Sequence, residues 1–227
     1  MCGIAGYIGD EGIDDRSAES LDAMIGAIAH RGPDDAGTWF DRPAGVGLGH
    51  RRLSILDLSP AGRQPMVSAS GRYVIIFNGE IYNHADLRMQ LERSGVAPDW
   101  RGHSDTEVFL AAIEHWAIEE TLRRSNGMFA FALWDRQKRS LYLARDRLGE
   151  KPLYYGRISR YFLFGSELKA MRAHPSFRTE LDRDALALFL RHNYVPSPRT
   201  IWRGIYKLPP AHYLEVRRGA AGVGKPR

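Results

Sequence analysis

The stretch MFAFALWDRQKRSLYLARDRLGEKPLYYGRISRYFLFG, residues 128 to 165, holds four apolar runs: 128–134, 141–145, 153–156 and 161–165. Each is rich in aromatic and branched residues and of strand length, and polar segments of turn length separate them. A parallel crossover needs a dozen or more residues, so strands joined this closely must lie antiparallel. Upstream, residues 2 to 8 read as a strand with small residues interleaved, and Gly45 to His50 as another. Leu21, Met24, Ile25 and Ile28 recur at the spacing of one helix face. Tyr73 to Phe77 is a β-rich run that stops at Asn78-Gly79, the strongest short-range signal for a type I′ hairpin turn.

Two helix starts follow. Asn83 is a good N-cap for a helix carrying Leu87 and Leu91. Ser104 and Glu107 form a capping box ahead of Val108, Phe109, Ala112, Ile113 and Trp116. Residues 167 to 173 predict a short helix, and Leu186, Phe189 and Leu190 a last amphipathic one. Helices that fall after the first strand and between the strand groups predict an α+β class in which antiparallel sheets face each other with helices outside. One domain is expected over residues 2–216, with the basic segment 217–227 as a linker stub or tail.

The formal charge of +5 is the first functional clue to be discounted. Arg217, Arg218, Lys225 and Arg227 supply four of those charges with no acid among them, so the body is close to neutral. Nothing in this balance asks for nucleic acid or a membrane surface. No apolar run approaches the roughly 18 residues of a membrane helix, and the chain opens without a signal-peptide pattern. One cysteine excludes an intrachain disulfide and suits a reducing, cytoplasmic compartment. No CxxC or HExxH spacing supports a metal site. Gly219, Gly224 and Lys225 mimic half of a phosphate loop, but Pro226 replaces the hydroxyl residue and no strand-loop-helix unit can be built there.

That cysteine is residue 2. A lone cysteine is ordinarily a small buried hydrophobe. At position 2, however, removal of the initiator Met would place a thiol and an α-amine of pKa about 7.7 to 8.0 on one residue, uniting nucleophile and base. Gly3 would let a substrate come close. Such a nucleophile needs donors aimed at a developing oxyanion, and Asn78 with the Gly79 N–H is the candidate pair beside its reading as a plain turn. Asp105 merely favours the macrodipole or, being spare of the cap, holds a cationic group such as an α-ammonium. Arg51 and Arg52 follow a strand, solvated or holding a carboxylate. His30, His50 and His84 read as locally hydrogen-bonded or solvated.

The segments 1–4 (MCGI), 30–34 (HRGPD), 52–55 (RLSI), 78–83 (NGEIYN), 104–107 (SDTE) and 145–155 (RDRLGEKPLYY) occur in this order. Together they resemble the glutaminase domain of glutamine-hydrolysing asparagine synthetases, class II glutamine amidotransferases of the N-terminal nucleophile hydrolase superfamily. The resemblance runs from Cys2 through residues 208–214. It implies a four-layer αββα sandwich and hydrolysis of L-glutamine to glutamate and ammonia through a Cys2 γ-glutamyl thioester. It assigns Asn78 and Gly79 to the oxyanion hole, Arg52 to the substrate α-carboxylate with the backbone of Leu53, Ser54, Ile55 and Leu56, and Glu80 and Asp105 to the α-amine. It favours the asparagine synthetase branch over the amidophosphoribosyltransferase and glucosamine-phosphate synthase branches. It implies no cofactor for this domain. ATP and magnesium enter only with an ATP-pyrophosphatase (synthetase) domain, a partner in cis or in trans, whose phosphate loop this sequence lacks. A homodimer stays open as a further partner. Ala211 departs from the Gly usual after Pro-Pro. The alternative is a glutamine-binding or docking module with little turnover in isolation.

Overall fold

The computed structural model describes residues 1–13, 15–54, 59–219 and 224–227, without the side chains of residues 15 and 16. In chain order the elements are β1 (Gly3–Gly9), α1 (Asp15–Gly26), β2 (Asp35–Asp41), β3 (Val46–Arg52), β4 (Met66–Val67), β5 (Tyr73–Ile81), α2 (His84–Arg93) and α3 (Asp105–Arg124). There follow β6 (Gly127–Asp135), β7 (Ser140–Arg145), β8 (Tyr154–Ile158), β9 (Tyr161–Gly165), α4 (Leu168–Arg172), α5 (Arg183–His192), β10 (Ile205–Lys207) and β11 (Tyr213–Arg217).

The strands form two sheets, ordered β10-β8-β9-β1-β3-β2 and β11-β7-β6-β5-β4. All their pairings are antiparallel, as the short turns require. Period-2 alternation explains the layers. Ile4 and Ile8 of β1, Val46 and Leu48 of β3, and Val74 and Ile76 of β5 pack together between the sheets. Tyr73, Ile75 and Phe77 point the other way, against Phe109 and Leu110 of α3 and Leu87 and Leu91 of α2. On the far side, Ala5 and Tyr7 meet Leu21, Met24 and Ile25 of α1 and Ala170 and Met171 of α4. The result is an αββα sandwich. Each fully buried aliphatic side chain contributes about 1.5 to 3 kcal/mol to holding the layers together.

Three local expectations are altered by tertiary pairing. β5 does not turn at Asn78-Gly79: the strand continues to Ile81, with Asn78 opposite Ala130 and Ile81 opposite Gly127. A long partner strand, β6, outweighs the turn preference of the dipeptide. Asn83 precedes α2 without a side-chain cap, because its amide instead donates to the Arg124 carbonyl and accepts from Asn126 N–H. Ser104 does cap α3 at Thr106 N–H, but Glu107 turns away from the box to accept Arg101 and Gly102 N–H. α5 is amphipathic as read, yet it buries only Ala185 and leaves Leu186, Phe189 and Leu190 exposed. In the basic segment, Arg217 ends β11, and Tyr213 and Arg227 exchange backbone hydrogen bonds of 3.0 and 2.9 Å.

Candidate active site

Three inward-facing rows run out at one end of the sandwich, and there their chemistry changes. The β1 row Ile8, Ile4 reaches Cys2. The β3 row Val46, Leu48 continues to His50 and Arg52. The β5 row Val74, Ile76 continues to Asn78 and Glu80. Alternation alone therefore carries a thiol, a guanidinium, an amide and a carboxylate to one place. They line a single open cleft with Leu53, Ser54, Gly79 and Asp105.

The register Gly3 opposite Arg51 places Cys2 beside the end of β3. The Cys2 thiol is 3.4 Å from Leu53 N–H, which it accepts, and 3.6 Å from the Leu53 carbonyl. Burial pushes the thiol pKa up, opposed by the Leu53 N–H, the positive amino terminus and Arg52. On the other side of the backbone, Arg31 Nε donates to the Cys2 carbonyl at 2.9 Å. Arg31 is itself held by Glu167 at 2.9 Å. Partial burial raises the Glu167 carboxyl, but hydrogen bonds from Arg31, Lys169 and His30 outweigh it and bring the pKa to about 2. Thus Glu167, the residue before α4, anchors an arginine that fixes the backbone of Cys2. Gly3 serves that packing rather than substrate access, since a Cβ there would lie 2.9 Å from Ile28 Cδ1 and 3.3 Å from Arg31 Cδ.

Asn78 is 1% exposed, and among the described residues its Nδ2 has no hydrogen-bond partner. A buried donor left unpaired costs about 1 to 3 kcal/mol, so its retention in a cleft marks a place for an acceptor. At Gly79 a Cβ would stand 2.2 Å from the Met128 carbonyl, so only glycine lets β5 run this close to β6 beside Asn78.

Asp105, in the first turn of α3, accepts Ile81 N–H at 2.8 Å and the Thr106 hydroxyl at 3.3 Å. Burial pushes its carboxyl pKa up, and those hydrogen bonds pull it down. Arg52 is largely buried in the cleft wall and donates to the Ser59 carbonyl at 3.2 Å. Ser54 N–H is held by Asp34 at 2.8 Å. Glu80 lines the cleft with its row. Ile55 and Leu56 lie outside the described residues.

The expected site residues that are described therefore converge. The structure adds three residues to which the sequence gives no role, Arg31 and Asp34, legible only as members of the 30–34 segment, and Gln64, and it brings His50, read as locally hydrogen-bonded, into the same cleft. His30 bonds Glu167, His84 bonds the Ile81 carbonyl, and His50 bonds the Phe77 carbonyl.

A thiol just before β1, a buried amide donor without a partner among the described residues, an arginine and two carboxylates thus line one cleft on an αββα scaffold. A family model for the glutamine amidotransferase domain matches residues 1–225. The chain belongs to this family. The glutamine amidotransferase domain is 40% identical over 226 residues to asparagine synthetase [glutamine-hydrolyzing] 3 of Bacillus subtilis, covering 98% of this chain and 36% of that protein. It is 35% identical to putative asparagine synthetase [glutamine-hydrolyzing] 2 of Methanocaldococcus jannaschii, covering 92% of this chain and 42% of that protein. The chain thus spans about a third of the length of the first of these relatives. Its fold also matches the glutamine phosphoribosylpyrophosphate amidotransferase of B. subtilis, with a TM-score of 0.68 at 19% identity, over 95% of this chain and 47% of that one. The domain is thus an αββα sandwich of the glutamine amidotransferase family, similar in sequence to part of the glutamine-hydrolysing asparagine synthetases.

Among the described residues no helix is long and apolar enough to cross a membrane.

Proposed function

We propose that this chain hydrolyses the side-chain amide of L-glutamine to glutamate and ammonia. The observation that carries this reading is the Cys2 thiol sharing a cleft with the unpaired, buried amide of Asn78. In the proposed reaction Met1 is removed, freeing the Cys2 α-amine. The amine takes the thiol proton, and the sulfur attacks the glutamine amide carbon. Negative charge develops on the amide oxygen, where Asn78 Nδ2 and the Gly79 N–H receive it. The C–N bond then breaks as the α-ammonium returns a proton to the leaving nitrogen. A water, deprotonated by the same amine, hydrolyses the γ-glutamyl thioester.

Arg52, with the backbone at Leu53 to Leu56, would hold the substrate α-carboxylate, and Asp105 and Glu80 the α-ammonium. A cation beside Asp105 offsets the burial that raises its pKa. This favours a free α-amino acid over a peptide or simple amide. The Leu53 N–H and Arg52 lower the cost of the thiolate that burial otherwise raises.

The similarity to glutamine-hydrolysing asparagine synthetases supports a further step in which the ammonia passes to an ATP- and magnesium-dependent synthetase partner that activates aspartate. Hydrolysis itself uses only groups of this chain and needs neither nucleotide nor metal. The lone free thiol suits a reducing, cytoplasmic setting.

The reading is tested by intact mass and ammonia release. Loss of Met1, glutamine-dependent ammonia, and a fall of at least about 10³-fold in Cys2→Ala are expected. Retained Met1 with full turnover would refute the mechanism. Glutamine binding without ammonia release would instead favour a binding or docking module.

A further inference from the structure

We infer that His50 and Gln64 act as positioning residues, holding the carbonyl and the N–H of Phe77 and so setting where the Asn78 and Gly79 donors stand. The inference rests on the glutaminase reading and adds two residues to it.

The need for a clamp comes from sheet topology. β4 is only two residues long, and its Met66 lies opposite Ile75. Phe77, two residues further along β5, therefore has no strand partner on that side. Its N–H donates instead to the Gln64 side chain, Oε1 at 2.6 Å. Its carbonyl faces His50 Nε2 at 3.1 Å. A carbonyl can only accept, so Nε2 carries the hydrogen. The Phe77 carbonyl belongs to the peptide unit that Asn78 completes. Both peptide planes beside Phe77 are thereby fixed immediately before the donor pair.

The two clamp residues are anchored elsewhere. His50 is 1% exposed and sits in the β3 row between Leu48 and Arg52. Gln64 Nε2 donates to Thr106 Oγ1 at 3.4 Å, and Thr106 in turn donates to Asp105. One side chain thus links the strand of the oxyanion donors to the helix start holding the proposed ammonium site. Burial lowers the His50 pKa to about 4, which keeps the ring neutral above that pH.

Small misplacement of oxyanion donors is costly because their benefit exists only at the geometry of the tetrahedral state. Removing the clamp should accordingly slow chemistry without weakening substrate binding. In the full chain, His50→Leu should lower kcat for glutamine on the order of 10- to 100-fold while KM stays within about twofold. The aldehyde analogue of glutamine adds the thiol across its C=O, sulfur to carbon and proton to oxygen, and its inhibition should weaken by the same factor. Alkylation of the single cysteine by iodoacetamide develops no oxyanion and should keep its wild-type rate. His50→Gln, which preserves a donor near Nε2, should recover most of kcat. Gln64→Met tests the bond to the Phe77 N–H and decides the matter if His50→Leu fails to fold. Unchanged kcat in a folded His50→Leu chain, or a loss carried wholly by KM, would overturn the clamp. Absence of ammonia release from the unaltered chain would overturn the glutaminase reading instead.

Discussion

The middle of the inter-sheet layer and its Cys2 end are built from the same strands by the same alternation, yet they obey different rules. In the middle, Val74, Ile76, Ala130, Ala132 and Trp134 are buried against Val46 and Leu48. There, any side chains of the right volume would maintain the contacts at modest cost. At the end of the same rows stand Asn78, His50, Arg52 and Cys2, each tied to a particular atom or aimed at a vacant direction. A core position is defined by volume and a site position by direction. The same strand supplies both, so the rigidity that core packing generates is delivered to the site through two residues of backbone.

The sharpest way to break this comparison is to truncate neighbouring members of one row. Ile76→Ala removes a fully buried aliphatic side chain and should destabilise the fold by about 2 to 5 kcal/mol. Turnover at temperatures where the variant stays folded should be nearly unchanged. Asn78→Ala removes a donor without a partner and should cost little or no stability, while kcat falls about 10² to 10³-fold. Denaturant melts and ammonia release on both variants separate the two. Equal stability losses at the two positions would show that the end of the row is ordinary core.

The alternation that builds these rows was legible in the sequence, as were the helix faces of Leu21 to Ile28 and Leu87 to Leu91. What escaped it depended on chain segments far apart. β2 is an edge strand with half-exposed residues, and β4 and β10 are two and three residues long, too short for periodicity to register. Asn78-Gly79 resembles a turn because the dipeptide is local, whereas the β6 strand that keeps it extended lies some fifty residues on. Cys2, Arg52, Asp105 and the Asn78-Gly79 pair became legible as a site through ordered motifs. Arg31, His50 and Gln64 did not, since each acts on a backbone atom, of Cys2 or Phe77, that no side-chain pattern announces. Backbone recipients leave no residue-type signature at the receiving position.

Acid titration compares the two faces of the Cys2-bearing sheet by a different measure. His50 lies on the inter-sheet side, and His174 packs on the helix side against Tyr7 and Tyr161. Burial lowers both pKa values from 6.5 to about 4. The unfolded chain therefore binds protons below pH 6.5 that the folded chain refuses until about 4. Stability is full above about pH 7 and falls as pH drops toward 4, by roughly 3 kcal/mol for each ring. Glu167, held at about 2, adds a further loss as pH falls below its ordinary 4.5. Urea melts from pH 7.5 to 4.5 should show this slope. His174→Phe should flatten it by about half and leave kcat near wild type, whereas His50→Leu should flatten it similarly but lower kcat. A slope unaffected by either substitution would mean that these rings open to water before they titrate.

The smallest expected effect lies outside the site, at a position where backbone strain serves no chemistry. Ala211 has φ +58°, in the left-handed region that an alanine Cβ disfavours by about 1 to 2 kcal/mol. Its N–H is committed to the Asp146 carbonyl at 2.8 Å, and the following residues enter β11, so the conformation is imposed from both sides. Ala211→Gly removes the clash but gives the unfolded chain more freedom, which returns roughly 0.5 to 1 kcal/mol of the gain. The net stabilisation should be about 0.5 to 1 kcal/mol, a rise in Tm of about 1 to 4 °C for a chain of this size. Glutaminase kcat and KM should not change. Asn193 supplies the internal control: it takes φ +60° at the C-terminal end of α5, where an asparagine tolerates the left-handed region. Asn193→Gly should therefore gain less than Ala211→Gly. Equal gains at the two positions would assign the benefit to glycine itself rather than to relief of strain at Ala211.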